Sequence, residues 1–387
     1  MTPAELTASQ RDWLRVRSYL QENRYQLAVD AAGDYPADRR VAGTPLLAAP
    51  GWQPAEPIAL QDVVLELTPA GCAPPDHDAA PLRPERPDGT RYPSYSDALR
   101  ELAAPAVFEN RLTYRLTEAD LIRPRLAFTR GRYFDGVDTG EAAAHEYAAV
   151  RLGGAPAGLR ALICDPCDLR RRPANLAIST LTLRLDQATG RASFLLHWRD
   201  PAKVGHAGGL HQVIPVGVFQ PSSVAAWTWD FSLWRCMVRE FAEELAGHSE
   251  DYGPGVVDYD SWPFARQMTA ALDRGQIRAW CLGLGTDPLT YATDLLTVAV
   301  IDGEVFDDLF SLSPRRNAEG SVLAAQEFAA PVIDRVVTRD RLQAAGAALL
   351  RLAWRHRDLV FGPGVRDQAG GDGGALEAGH PVKLTGI

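Results

Sequence analysis

The segment Arg239-Glu240-Phe241-Ala242-Glu243-Glu244-Leu245-Ala246-Gly247 constrains this chain more than any other. Read as a helix at about 100° per residue, it puts Glu240, Glu243 and Glu244 within roughly a quarter of the circumference. Trp234, Val238, Phe241 and Leu245 form a neighbouring apolar face at helical spacing. Carboxylates three and four residues apart repel, at about 0.2–0.5 kcal/mol per pair in an isolated helix. Such a strip is easier to explain if a cation sits among the acids, and oxygen-only ligands suit a hard ion such as Mg²⁺ or Mn²⁺. The plain alternative is a solvated helix face.

Composition narrows the function classes. The 387 residues suffice for one large domain or two ordinary ones. A net charge of −9 argues against a nucleic-acid binder, which needs a basic face. It leaves room for a small phosphorylated metabolite, which needs only a local group of arginines. Lys203 and Lys383 are the only lysines among 40 basic residues, a bias that a GC-rich genome explains. No apolar run approaches the ~20 residues needed to span a bilayer, so no membrane is expected. Five cysteines, an odd number thinly spread, fit a reduced cytoplasmic protein.

Along the chain, Thr7-Ala8-Ser9-Gln10 reads as a capping box opening a helix that runs towards Tyr35-Pro36. Val63–Leu67 and Leu112–Leu116 read as strands, Ser94 or Ser96 caps a short helix to Leu102, and Gly140–Val150 is helical. Ala73–Gly89 reads as an exposed loop. Leu176–Leu185, a turn over Asp186–Arg191 and a strand Ala192–Trp198 make a hairpin. Val213–Phe219 carries Pro215 and Gly217 in an extended run, and Asp230 or Ser232 would cap the carboxylate helix. Strands over Ile277–Leu284 and Leu295–Ile301, a short helix over Val305–Phe310, a mixed stretch over Phe328–Val336 and an amphipathic helix over Arg339–His356 follow. From Gly362 the composition turns to Gly, Asp and Gln and predicts a flexible tail.

A hairpin, a glycine-bearing strand and a helix bearing Arg-Glu-apolar-any-Glu-Glu resemble the Nudix superfamily. Arg239, Glu240, Phe241, Glu243 and Glu244 match the second half of that family's motif. Its first half is not met. Counted back from Arg239, the motif Glu falls at Phe231 and the motif Gly at Ala225. Aligning Pro215-Val216-Gly217 with the family's strand end lengthens the loop and puts Ser223 where the first Glu stands, with Asp230 the nearest acid that could compensate. The resemblance implies an α+β chain: a Nudix-like α/β/α sandwich with a mixed sheet over 173–360, plus an N-terminal α/β extension over 1–160 and a tail over 362–387.

The activity so implied is divalent-metal-dependent hydrolysis of a phosphoanhydride in a nucleoside-diphosphate-linked or similar phosphorylated metabolite. Glu240, Glu243 and Glu244 would bind Mg²⁺ or Mn²⁺, Arg239 would orient a carboxylate, and Glu243, Glu244 and Arg239 would form the catalytic set. The base is open, with Glu304 and Glu319 in plausible loops. The alternative is a catalytically impaired Nudix-like ligand-binding or regulatory protein, and a homodimer is compatible with either.

Other features carry weaker signals. His206, Gly208, Gly209 and His211, with Gly217, are candidate ligand-binding residues, because glycines permit close approach of a phosphate. Loop histidines bonded to backbone are the bland alternative. Cys164-Asp165-Pro166-Cys167 lacks the second pair that a zinc site wants, and reads as a structural turn. Trp227, Trp229 and Trp234 read as core, or in part as a platform for a flat base. Arg170-Arg171-Arg172 reads as a solvated connector. No Gly-x-Ser-x-Gly elbow and no helix-turn-helix is present.

Overall fold

The computed structural model describes residues 6–68, 79–105, 108–199, 209–310 and 320–362. The expected tail and the segment that holds His206 and Gly208 lie outside these residues. The strand Leu176–Leu185 organises the whole molecule. It is rich in Leu and β-branched residues and is buried on both alternations, so both faces of the sheet are covered here. All ten residues pair in parallel with Thr293–Asp302, which pairs antiparallel with Ile277–Thr286, and the edge is closed by Ile58–Ala59.

The other edge of this central strand is shared. Ala177–Ser179 pair with Val216–Val218, whereas Leu183–Leu185 pair with Ala192–Phe194, itself flanked by Gln326–Glu327. Two short strands thus leave the same edge at different heights and splay apart. Between them, the Thr180 N–H donates to the Pro215 carbonyl at 2.9 Å and the Thr182 hydroxyl to the Ile214 carbonyl at 2.7 Å. The expected strand Ala192–Trp198 breaks at this fork. Its second half, His197–Arg199, belongs to a small sheet with His211–Gln212 and Gly320–Val322.

Helices cover the sheet. Leu233–Glu244 packs on the central strand and on Val216–Val218, and lies against Pro263–Asp273. Ala344–Arg355 packs across the three long strands. The amphipathic pattern expected from Arg339 therefore starts five residues later, after a separate helix Ala330–Arg339.

Two apolar clusters are built mainly from N-terminal residues, one around Trp13, Tyr95 and Phe134 and one around Leu20, Leu27 and Ala148. Thr7 caps the first helix, Ala8–Ala32, with the reciprocal Gln10 bond of a capping box. That helix packs on Ala142–Arg151. A sheet of Val64–Leu67, Arg125–Arg132 and Leu112–Asp120 follows. Its Leu116 N–H donates to the Ala174 carbonyl at 2.9 Å and its Tyr114 N–H to the Phe219 carbonyl at 3.2 Å. Tyr114, Leu116, Leu126 and Phe128 share one apolar cluster with Ile178, Leu181, Phe219 and Phe241. Part of the N-terminal stretch thus packs with the C-terminal sheet, to which Ile58–Ala59 supplies an edge strand.

Arg170 and Arg171 pair with Asp168 near the surface, as a solvated connector would. Arg172 does not. It is 2% exposed and donates to the Thr293 hydroxyl at 2.7 Å, the Thr286 hydroxyl at 3.2 Å and the Pro166 carbonyl, fastening the connection to two sheet strands. The Cys164–Cys167 turn is tied beside it. Asp165 accepts from the Cys167 N–H at 2.9 Å and pairs with Arg39 at 3.2 Å.

The helical segment Val137–Glu141 passes close to the loop before Thr293. A Cβ on Gly140 would fall 2.1 Å from the Thr290 carbonyl oxygen, a backbone atom that cannot turn aside. Gly140→Ala is expected to cost about 1–3 kcal/mol or more, seen as a lower urea midpoint with an unchanged m-value.

Candidate functional site around the carboxylate helix

Ser232 opens the helix Leu233–Glu244 by accepting from the Arg235 N–H, which settles the capping alternative against Asp230. Val238, Phe241 and Leu245 are buried beneath the helix, as their spacing requires. The helix is wedged between two elements. On one side lies the strand Val216–Val218; on the other lies the loop over residues 249–259. The three glutamates divide between them.

Glu240 and Glu244 face the strand. A Cβ on Gly217 would fall 1.9 Å from the Glu240 carboxyl carbon and 2.1 Å from each of its oxygens. Only glycine lets that carboxylate lie against the backbone at this point. Four residues on, Glu244 accepts from the Val216 N–H at 2.7 Å through Oε1. Its Oε2 lies 3.9 Å from Nδ1 of His197, which is completely buried.

Glu243 faces the loop instead. The Tyr252 hydroxyl donates to it at 2.8 Å. Burial pushes its carboxyl up to about 7, the Tyr252 bond pulls it back, and the nearby Glu250 raises it further. Glu240 and Glu244 thus lie beside the strand and Glu243 bonds to the loop, with Glu240 and Glu243 both close enough to Tyr252 to add to the rise that burial gives its hydroxyl. Among the described residues no group of three or more His, Cys, Asp or Glu is placed to hold a metal ion.

Arg239 also turns to the loop side and is 3% exposed. It donates to the Gln220 carbonyl at 2.6 Å and to the Tyr259 hydroxyl, and lies 3.3 Å from Asp230. Asp230 is itself fully buried and accepts from the Ser222 N–H at 2.7 Å, the Ser222 hydroxyl at 2.6 Å and the Tyr259 hydroxyl at 2.9 Å. The carboxylate that Arg239 orients is therefore Asp230. Ser223, aligned with the first motif acid, donates to the Gly255 carbonyl at 2.6 Å and takes no part.

The long loop before the helix is held by aromatic packing. Tyr114 lies 4.5 Å from Phe219, 4.6 Å from Trp227 and 5.0 Å from Phe231 between ring centroids, and its hydroxyl donates to the Trp227 carbonyl at 2.7 Å. Trp227 is thus core. Trp234 donates to the Thr269 hydroxyl at 3.1 Å. Trp229 is 41% exposed, with the Arg235 guanidinium 4.1 Å from its ring centroid.

The remaining candidates disperse. Gly209 has a positive φ of 79° and opens the small sheet. His211 pairs with Trp198 in that sheet and its N–H donates to the Arg341 carbonyl. Neither has a contact with the carboxylate helix among these bonds. Glu304 is exposed in the first turn of Gly303–Phe310, and Glu319 lies outside the described residues. The residue of the small sheet that does reach the helix is His197. Its one sequence signal is a histidine embedded in the apolar run Phe194-Leu195-Leu196.

No protein-family model matches this chain, and no curated protein does. Among solved structures it is similar to a MutT/nudix family protein from Enterococcus faecalis, at 12% identity and a TM-score of 0.28, over 48% of this chain and 62% of that one. It is also similar to a NUDIX hydrolase from Alicyclobacillus acidocaldarius, at 17% identity and a TM-score of 0.28, over 49% of this chain and 92% of that one. The likeness is distant. No helix among the described residues is long and apolar enough to cross a membrane.

Two outcomes follow from the divided helix. Arg239→Met strands a buried Asp230 and is expected to cost about 3–5 kcal/mol, most of it recovered in the Arg239→Met/Asp230→Leu double variant. Glu243 is an acid whose folded value, about 7, lies above its ordinary 4.5. The folded state then binds this proton more tightly, so its contribution is fully present below about pH 4.5 and is lost as pH rises through 7. Glu243→Gln should therefore gain on the wild type by on the order of 1–3 kcal/mol between pH 5 and pH 8, measured by urea unfolding at each pH.

Proposed function

We propose that this chain is a divalent-metal-dependent hydrolase of a phosphoanhydride in a nucleoside-diphosphate-linked or similar phosphorylated metabolite. The observation that carries the reading is the placement of Glu240 and Glu244 against one short strand, at Gly217 and Val216. Mg²⁺ keeps several waters and is commonly held by one or two carboxylates together with substrate phosphates. A pair of helix glutamates set against one strand fits that demand. When bound, the ion would polarise a phosphoryl oxygen and acidify a water.

The chain's own residues have distinct parts in this reading. Glu240 and Glu244 would hold the ion, and Gly217 keeps the backbone low enough for Glu240 to reach it. Arg239 and Asp230 fix the helix from the opposite side. Glu243 is a protonatable acid held by Tyr252, one residue from the metal-facing pair. Mg²⁺ and Mn²⁺ suit the site equally on the chemistry of its donors.

A second reading, a ligand-binding module without turnover, is favoured by Ser223, which supplies no acid where the first half of the motif would. The two are separated by assaying the full chain with Mg²⁺ or Mn²⁺ against a panel of nucleoside-diphosphate derivatives. Hydrolysis is expected, with Glu240→Gln and Glu244→Gln each reducing kcat by about a hundredfold or more, or about 3 kcal/mol of transition-state stabilisation. Unchanged turnover in both variants would remove the site. A compound that raises Tm while no product forms, with or without metal, would favour the module.

A further inference from the structure

Arg278 and Trp280 stand two residues apart in the strand Ile277–Thr286, whose pairing with Thr293–Asp302 is unbroken from Ile277 to Cys281. Strand alternation puts both side chains on one face of the sheet, where each is half-buried. The Arg278 guanidinium is anchored at one corner, since its Nη1 donates to the Phe361 carbonyl at the end of the helix Arg357–Phe361. Its other edge, Nε and Nη2, is shielded and has no acceptor, and neither has the indole N–H of Trp280. Asp302, whose charge this guanidinium feels, accepts from Gln187 at 2.5 Å instead. The open edge is the one that arginine uses for carboxylates elsewhere in this chain. Arg184 donates through Nε and Nη2 to the two oxygens of Asp307 at 2.9 and 2.6 Å, and Arg125 holds Glu66 in the same way. Two parallel N–H groups match two carboxylate oxygens, which also bring the charge that a shielded cation needs. A water has two lone pairs and no charge, whereas a carboxylate offers about four acceptor positions, enough for the fork and the indole together.

We propose that Arg278 and Trp280 form a binding site for a carboxylate-bearing small molecule, the Arg278 fork taking both carboxylate oxygens and the Trp280 N–H one of them. The edge strand Ile58–Ala59 ends opposite Trp280, and among the described residues no strand flanks Arg278 on that side. A small anion therefore reaches the fork by moving side chains, without parting a strand pair. The site uses no residue of the carboxylate helix, so it stands or falls independently of the metal-dependent reading.

The test is nuclear magnetic resonance of the full chain labelled in its tryptophan indoles, titrated with acetate against chloride at constant ionic strength. The Trp280 signal is the one that Trp280→Phe removes. The wild type is compared with Arg278→Met and Arg278→Lys, with Tm for each in acetate and in chloride. The expected result is a saturable shift of the Trp280 N–H in acetate and none in chloride. Arg278→Met should weaken acetate binding by about 10–100-fold, and Arg278→Lys, which keeps the charge without the fork, by about tenfold or more. Acetate should raise the Tm of the wild type and leave that of Arg278→Met unchanged. An unmoved Trp280 signal overturns the proposal. So does a shift that survives Arg278→Met, or wild-type affinity in Arg278→Lys, which would leave only unspecific attraction of charge. Inorganic phosphate bound more tightly than acetate overturns the carboxylate class. Should Arg278→Met fail to fold, Arg278→Lys carries the same decision.

Discussion

The contact between the helix Leu233–Glu244 and the three-residue strand Val216–Val218 is the constraint on which the site depends. The Glu240 carboxylate lies so close to Gly217 that any Cβ there would occupy its place. Glu244 then reaches a strand N–H directly. A helix set this near a strand can hold two carboxylates against backbone, and it can do so only because the strand is short. Val216–Val218 takes the central strand's edge at three residues and leaves the rest to Ala192–Phe194. The fork opened by this sharing is what lets His197, from a different sheet, approach the same carboxylate.

The opposite side of the helix is closed by charge and aromatic packing. Arg239 and Asp230 are both buried, and each is also bonded to neutral groups: Tyr259 and Gln220 for the arginine, Ser222 and Tyr259 for the acid. A buried pair is tolerable when the remaining donors and acceptors are met in this way. The N-terminal sheet contributes through Tyr114 and Phe128, whose rings pack on Phe219 and Phe231 at the two ends of the loop before the helix. The N-terminal residues thus have a physical part in the site: they anchor the loop before the carboxylate helix.

Local signals were legible to the residue where the chain's own neighbours decide the structure. Leu176–Leu185 has the expected limits because a ten-residue run, apolar or β-branched except at Ser179 and Arg184, ends in a turn. The Thr7 and Gln10 box caps its helix as its spacing requires. Long-range partners were not legible. Ala192–Trp198 carries no polar break, and it divides only because its two halves meet different strands. Arg125–Arg132 hides a buried Leu126–Thr129 core between arginines. Counting along the motif put an acid at Phe231; the acid that pairs with Arg239 is its neighbour Asp230, since the loop path and not the count sets which side chain points inward. His197 is invisible to any spacing rule, because its approach to Glu244 exists only once the sheet has forked.

The division of the three glutamates changes what the helix asks of its surroundings. In an isolated helix the strip is one repulsive patch, and a cation is the simplest remedy. In the folded chain Glu243 bonds to Tyr252 in a buried setting that raises its carboxyl to about 7, so its charged and neutral forms are balanced near that pH. Below that pH the neutral form predominates and repels its neighbours less. Glu240 and Glu244 lie beside adjacent residues of one strand, Glu240 against Gly217 and Glu244 on the Val216 N–H. One helix thereby sets three identical side chains in different surroundings: Glu240 and Glu244 beside the strand, and Glu243 on Tyr252 with its carboxyl raised by burial.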